Sequence, residues 1–405
     1  MRDAARKRPV LIVGLIVVVV LAGAGFLSVR YWPAPRDDRQ GPLPSAVPAF
    51  DGDSHLLKAT DVVATLDTPI RAGKNAVWCV SFLSAWKTLE ADLAKGPISL
   101  QGSPLLAASL NAAADPRAQI PPESLYVAAG WNQKGIIGQI SDDLKRRFPA
   151  KATPTFPGIL PDSFVAYAYL EVSLKFSIPY FQNRKPLVFT SSDGNRTELA
   201  SFGVREEDEY AYFKLRGQPR ILFRTVDDDK FQLTEGILDL DCTSQPNQIV
   251  LALTEPRASL AATLTAVEGK ITSAKPVADS GYLGPNDVLL VPDIVWRISH
   301  RFAELEGLYF TNAALMNQRL DVAQQDIQFC LNRGGAELKS EAKGFMCPIP
   351  IYYVFDRPFL LYMKKRGSDQ PYFVMWVDNV ELLGKWPTET GAQQDVPAEP
   401  NASSL

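Results

Sequence analysis

Apolar and polar positions repeat on two different periods along this 405-residue chain, and the period changes partway along it. Between Ser81 and Lys95 (SFLSAWKTLEADLAK), Phe82, Trp86, Leu89 and Leu93 recur every three to four residues, the spacing of one face of a helix. Ile136 to Phe148 repeats the pattern with Ile140, Leu144 and Phe148, so both stretches predict amphipathic helices. From Ser163 the pattern turns to strands, first SFVAYAYLEVSLKF and then KPLVFTSSDGNRTELASFGV. In the second, Asp193-Gly194 between two apolar runs predicts a hairpin turn. Further strands are expected at Ile221 to Val226, Gly236 to Cys242, Ile249 to Leu253, Val288 to Ile298, Leu320 to Leu331 and after Pro348. Helices early and strands later predict a mixed α+β class with large antiparallel or mixed sheets.

The two ends depart from both periods. Val10 to Val29 (VLIVGLIVVVVLAGAGFLSV) carries no charge over twenty positions, and as a helix it reaches roughly 30 Å, the depth of a bilayer core. Arg2, Arg6, Lys7 and Arg8 precede it with only Asp3 against them, a cluster that the positive-inside bias keeps cytoplasmic. The expectation is a cytoplasmic start (residues 1–9), a transmembrane signal anchor (10–29) and everything beyond it outside the cytoplasm. A cleaved signal peptide is the alternative reading, on the small-residue string Ala22 to Gly25. Pro33, Pro35, Pro42, Pro44 and Pro48 make residues 30–50 an extended linker that spans roughly 60 Å at most. Residues 387–405 read as a disordered tail. The span 51–386 shows no second linker and no internal repeat, and is read as one domain.

Charge and candidate chemistry narrow the function. The chain's formal charge is −3, and the basic start carries +3, so the part after the apolar run stands at −6 and offers nucleic acid no attraction by bulk charge. Four cysteines, Cys79, Cys242, Cys330 and Cys347, lie on the exported side in no close pair, which leaves three disulfide pairings open and argues against structural zinc. Cys79 and Cys330, inside apolar runs, are expected to be buried. The two histidines, His55 and His300, are far apart in sequence, and His300 is placed near a helix start in a surface or capping role. No nucleophile elbow, phosphate loop, dinucleotide fingerprint or zinc-protease helix motif is found, so no cofactor, metal or catalytic residue is assigned and the chain is read as a non-enzyme.

Three ordered stretches resemble the serpin family. Phe164 to Phe213 is similar to a main-sheet strand, a hairpin and a third strand (EYAYFKL). Gly236 to Glu268 resembles paired core strands before a leucine-rich helix. DIQFCLNRGGAELKSEAKG (Asp326 to Gly344), followed by Phe355 to Leu383, resembles the strand, glycine hinge, reactive loop and closing strand pair with which serpins end. Asn75 to Leu89 adds a partial match to their buried strand and helix. The resemblance implies helices packed around a large central mixed sheet with two smaller sheets. It also implies a hinge at Gly334, Gly335, Ala336, Glu337 and Leu338, a bait region at Met346, Cys347, Pro348, Ile349 and Pro350, and a target protease as partner.

The residues after Gly335 alternate on their own account. Ala336, Leu338, Ser340, Ala342 and Gly344 share one face, and Glu337, Lys339, Glu341 and Lys343 the other, as a strand able to enter a sheet would have them. The same AELKSEAK is good helix sequence, and both readings stay open. Loop insertion as an extra strand is the serpin behaviour. Against it, Leu338 is large for an inward position, where overpacking costs about 1 to 3 kcal/mol. The bait bond falls near Ile349 counted from the hinge and near Cys347 counted back from Pro358, and proline follows both. The family's histidine on the strand before the hinge and its asparagine in the long strand are also missing. Ser81 and Ser84 are read either as part of a buried polar cluster under the sheet or as helix-start residues. Two functions follow: a protease inhibitor working through the loop, or a non-inhibitory binding or structural module with the same fold.

Overall fold

Phe164 to Ser173 is apolar or aromatic at nearly every position, a composition that suits a strand covered on both faces, and it lies inside a sheet. The computed structural model describes residues 48–117, 120–149, 153–173, 175–205, 214–227, 232–241, 247–274, 281–334 and 350–387. All of them fall in one compact unit, residues 44–405. The expected anchor (10–29), nearly all of the linker and almost the whole tail lie outside the described residues. Among the described residues no helix is long and apolar enough to cross a membrane.

In chain order the first half contains β1 (Phe50–Asp53), β2 (Thr60–Val63), β3 (Asn75–Cys79), α1 (Ser81–Leu89), α2 (Leu105–Ala112), β4 (Leu125–Trp131), α3 (Ile136–Arg147) and β5 (Phe164–Ser173). Five strands follow: β6 (Phe181–Gln182), β7 (Leu187–Thr190), β8 (Arg196–Leu199), β9 (Ser201–Val204) and β10 (Arg220–Asp227). Then come β11 (Gln232–Asp239), β12 (Asn247–Leu253), α4 (Leu260–Ser273), β13 (Val288–Pro292), β14 (Ile294–Arg301), β15 (Leu308–Tyr309) and β16 (Arg319–Leu331). The chain closes with β17 (Tyr352–Val354), β18 (Phe359–Lys365) and β19 (Pro371–Val377).

The expected α+β class is present, with one large mixed sheet, two smaller sheets and surrounding helices. One sheet has six strands in the order β1-β14-β16-β5-β4, with β15 on β16. The other has eleven in the order β2-β3-β19-β18-β12-β11-β17-β13-β9-β6, with β10 on β11, and β7 and β8 form a separate hairpin. That hairpin turns where expected, with Gly194 at φ +84°, a conformation that glycine adopts without strain. The two large sheets meet through a ring stack in which Phe329 lies 4.7 Å from Phe373 and 5.5 Å from Trp296.

Two expectations are corrected, and a third is largely out of view. Val288 to Ile298 is two strands, because Asp293 interrupts the apolar run and the chain passes from one sheet to the other there. His300 is not at a helix start but inside β14, paired with Gln325. The third strand expected at EYAYFKL falls mostly outside the described residues, and its last two residues, Lys214 and Leu215, are in a helical turn.

Candidate functional site

The six-stranded sheet contains a parallel seam at its centre. β16 pairs with β14 on one side in antiparallel register and with β5 on the other in parallel register, from Leu320 opposite Phe164 to Cys330 opposite Ser173. β5 in turn pairs antiparallel with β4. Since β5 and β16 hydrogen-bond to each other directly, no strand stands between them. A strand turning back from the end of β16 would run antiparallel to β16, and therefore antiparallel to β5 as well. Insertion at this seam would replace one parallel pairing by two antiparallel ones, which are slightly more stable per residue.

Alternation along β5 gives the seam two different faces. Phe164, Ala166 and Ala323 pack with Phe82 and Trp86 of α1. On the opposite face Val165, Tyr167, Tyr169 and Val322 pack with Ile136, Ile140 and Leu144 of α3 and with Phe148 beyond it. Helix α3 thus covers the seam from outside.

Under this cover lies a polar network that sequence reading missed. The Tyr167 hydroxyl donates to Asp326 Oδ2 across the seam (2.8 Å), and Ser299 Oγ donates to Asp326 Oδ1 from β14 (2.8 Å). Gln324 Nε2 adds a third donor to Oδ1 at 3.0 Å. Next along, Tyr169 donates to Glu171 Oε2 at 2.8 Å, and Arg297 Nε donates to Gln328 Oε1 at 3.2 Å. Burial, reinforced by the Asp326 charge, holds the Tyr167 phenol far above its ordinary range, so it remains a donor. An aspartate inside the apolar run DIQFCL was the available signal, since such a residue is buried only when several donors meet it. Ser81 and Ser84 do not join this network. Both are buried in the first turns of α1, where Ser81 Oγ lies 3.1 Å from Cys79 Sγ and Ser84 Oγ donates to the Val80 carbonyl.

Of the expected hinge residues, Gly334 is described, and Gly335, Ala336, Glu337 and Leu338 lie outside the described residues. β16 ends at Leu331, after which the Gly334 N–H donates to Asn332 Oδ1 at 2.9 Å. The Arg333 and Gly334 carbonyls are held from the segment after β5, by the Tyr180 N–H (3.2 Å) and the Phe176 N–H (3.3 Å). Of the expected bait residues, Met346, Cys347, Pro348 and Ile349 lie outside the described residues, and Pro350 is half-buried. Beyond it the Ile351 N–H donates to Asp287 Oδ1 at 2.9 Å, and β17 enters the large sheet between β11 and β13. Tyr353 of β17 is fully buried, and burial pushes its phenol up to about 12 even though Arg224 Nη1 donates to it at 2.6 Å. Both ends of the segment 335–349 are therefore anchored, one at the seam and one in the other sheet.

Elsewhere, Cys79 and Cys330 are free thiols, Cys79 buried as expected and Cys330 half-buried. Burial pushes the Cys79 thiol up to about 11. Among the described residues no three His, Cys, Asp or Glu side chains are grouped to hold a metal ion.

No family model and no curated protein matches the chain. Among solved structures it is similar to mouse protein-Z dependent protease inhibitor, at 14% identity over 75% of this chain and 91% of that one, with a TM-score of 0.49. It is similar to human thyroxine-binding globulin complexed with thyroxine, at 12% identity over 76% of this chain and 92% of that one, with a TM-score of 0.49. It is also similar to the thermophilic serpin tengpin in its native state, at 11% identity over 80% and 97%, again with a TM-score of 0.49.

Proposed function

We propose that the chain is a serpin-like extracytoplasmic protein that serves as bait for a serine or cysteine endopeptidase through the loop after Gly334-Gly335, and is not itself an enzyme. The observation that carries this reading is the closed parallel seam between β5 and β16, with the hinge leaving directly from β16. Cutting the loop frees its first half from its far anchor at Ile351, and the alternating small face from Ala336 to Gly344 then suits entry at the seam. Tethering by residues 10–29, with residues 1–9 in the cytoplasm, belongs to the same proposal and places the target protease near a membrane surface.

The test is to nick the loop with papain or elastase and follow both the melting temperature and the products on denaturing gels. Inhibition predicts a rise in Tm of tens of degrees and a covalent adduct with the attacking protease that survives SDS. A second reading, a binding or structural module, is favoured by the proline after each candidate bait bond and by the bulk of Leu338. It predicts a nicked protein with unchanged Tm and no adduct, and that outcome would sink the inhibitor reading.

A further inference from the structure

The crossing between the two large sheets puts a carboxylate beside the hinge. Asp293 is the residue between β13 and β14, and its backbone is held at both ends: its N–H donates to the Ala200 carbonyl (2.9 Å) and its carbonyl accepts from the Gly384 N–H (2.8 Å). Packing there is close, since a Cβ added at Gly384 would stand 3.1 Å from the Asp293 Cβ. The carboxylate itself is only half satisfied. Oδ2 accepts from Gln182 Nε2 at 3.2 Å, while Oδ1 is buried without a hydrogen-bond partner among the described residues. A buried acceptor left unpaired costs free energy, and more when the group is ionised.

Gln182 connects this carboxyl to the hinge. It closes the segment that follows β5, and the same segment supplies the Phe176 and Tyr180 N–H groups that hold the Gly334 and Arg333 carbonyls. We propose that Asp293 is a proton-controlled trigger for the hinge: ionised, it favours release of the clasp between Phe176–Gln182 and Arg333–Gly334, and protonated, it locks that clasp shut. The proposal rests on Gly334 being the working hinge of the reading above.

The groups around Asp293 set the sign. Burial pushes its carboxyl up to about 6, with the Gln182 hydrogen bond and the Arg333 charge acting the other way. Cys330, on β16 opposite Val295, is a protonated thiol, kept so by burial, by Asp293 and by Glu171. Lys385 follows Gly384 in the chain and is bridged to Leu199. No second anion adds to the upward shift of Asp293, so the shift comes from burial. An opened clasp admits water to Oδ1 and returns the carboxyl toward its ordinary value near 4. The closed form therefore binds the proton more tightly than the open form, and closing is favoured as pH falls through about 6.

Hydrogen exchange at the Phe176 and Tyr180 amides, corrected for intrinsic chemical exchange, reads the clasp in the uncut protein without any protease. Opening is expected to be up to about tenfold more populated at pH 7.5 than at pH 5. Asp293→Asn should abolish that dependence and hold exchange near the slow, low-pH level. Arg333→Gln should move the midpoint to higher pH, because the charge that favours ionisation is gone. A flat profile in the unmutated protein, or a dependence that survives Asp293→Asn, overturns the proposal. Neither result depends on adduct formation, so this inference and the inhibitor reading fail separately.

Discussion

At His300 the imidazole sits beneath the turn that follows β1, with Nδ1 2.7 Å from the Ser54 hydroxyl and the ring edge-on to Phe302. Burial pushes its pKa down to about 4, with the Asp53 charge opposing. The sign is fixed by the unfolded chain, where a histidine titrates near 6.5. The neutral buried ring gives stability that is present above about 6.5 and is lost as pH falls toward 4. Replacing it by glutamine should therefore lower the unfolding free energy at pH 7 by up to about 3 kcal/mol more than at pH 4, measured in urea. Parallel pH profiles for the two proteins would refute this. Asp293 acts in the opposite sense, its contribution being present below about 4 and lost as pH rises through about 6, so the two are separable by variant. Neither residue was legible in the sequence. The run after His300, RFAEL, has helical spacing, yet β16 holds the chain extended through Arg301, and Ala303 to Leu305 form a turn instead of a helix.

Elements with a strong period were read correctly. α1, α3, the Gly194 hairpin and the long strand β16 all stand where alternation or three-to-four spacing puts them. What failed was the continuous apolar run, because period cannot mark a change of sheet when both halves are buried: Leu289 and Val291 belong to one sheet, Trp296 and Ile298 to the other. α2 was missed as well, since LLAASLNA carries only two buried positions, Ala107 and Leu110, and so almost no stripe. The function of α3 as a cover was not visible either, because it depends on Tyr167 and Tyr169 of β5 facing outward. Ile140 has no solvent exposure, so truncating it to alanine should cost about 2 to 5 kcal/mol. If α3 holds the seam closed, amides of β5 and β16 should then exchange faster than those of β18 and β19. Uniform acceleration across both sheets would show that α3 contributes only general stability.

For the whole chain, the tether and the domain make separate demands. If residues 10–29 span a bilayer, the full chain expressed in cells should remain with the membrane fraction after alkaline carbonate extraction, and a chain starting at residue 30 should not. Release of the full chain by carbonate would refute the anchor and leave the fold untouched. The seam also sets a timetable for synthesis. Tyr167 and its partner Asp326 are 159 residues apart, so the sheet cannot close when its first half appears. At translation rates of roughly 5 to 20 residues per second, β5 waits on the order of ten to thirty seconds for β16, with one edge unpaired. During that wait the β16 of a neighbouring copy offers the same register and the same Asp326. Chains made side by side therefore compete to complete each other, and slow, well-spaced production favours monomers over swapped pairs.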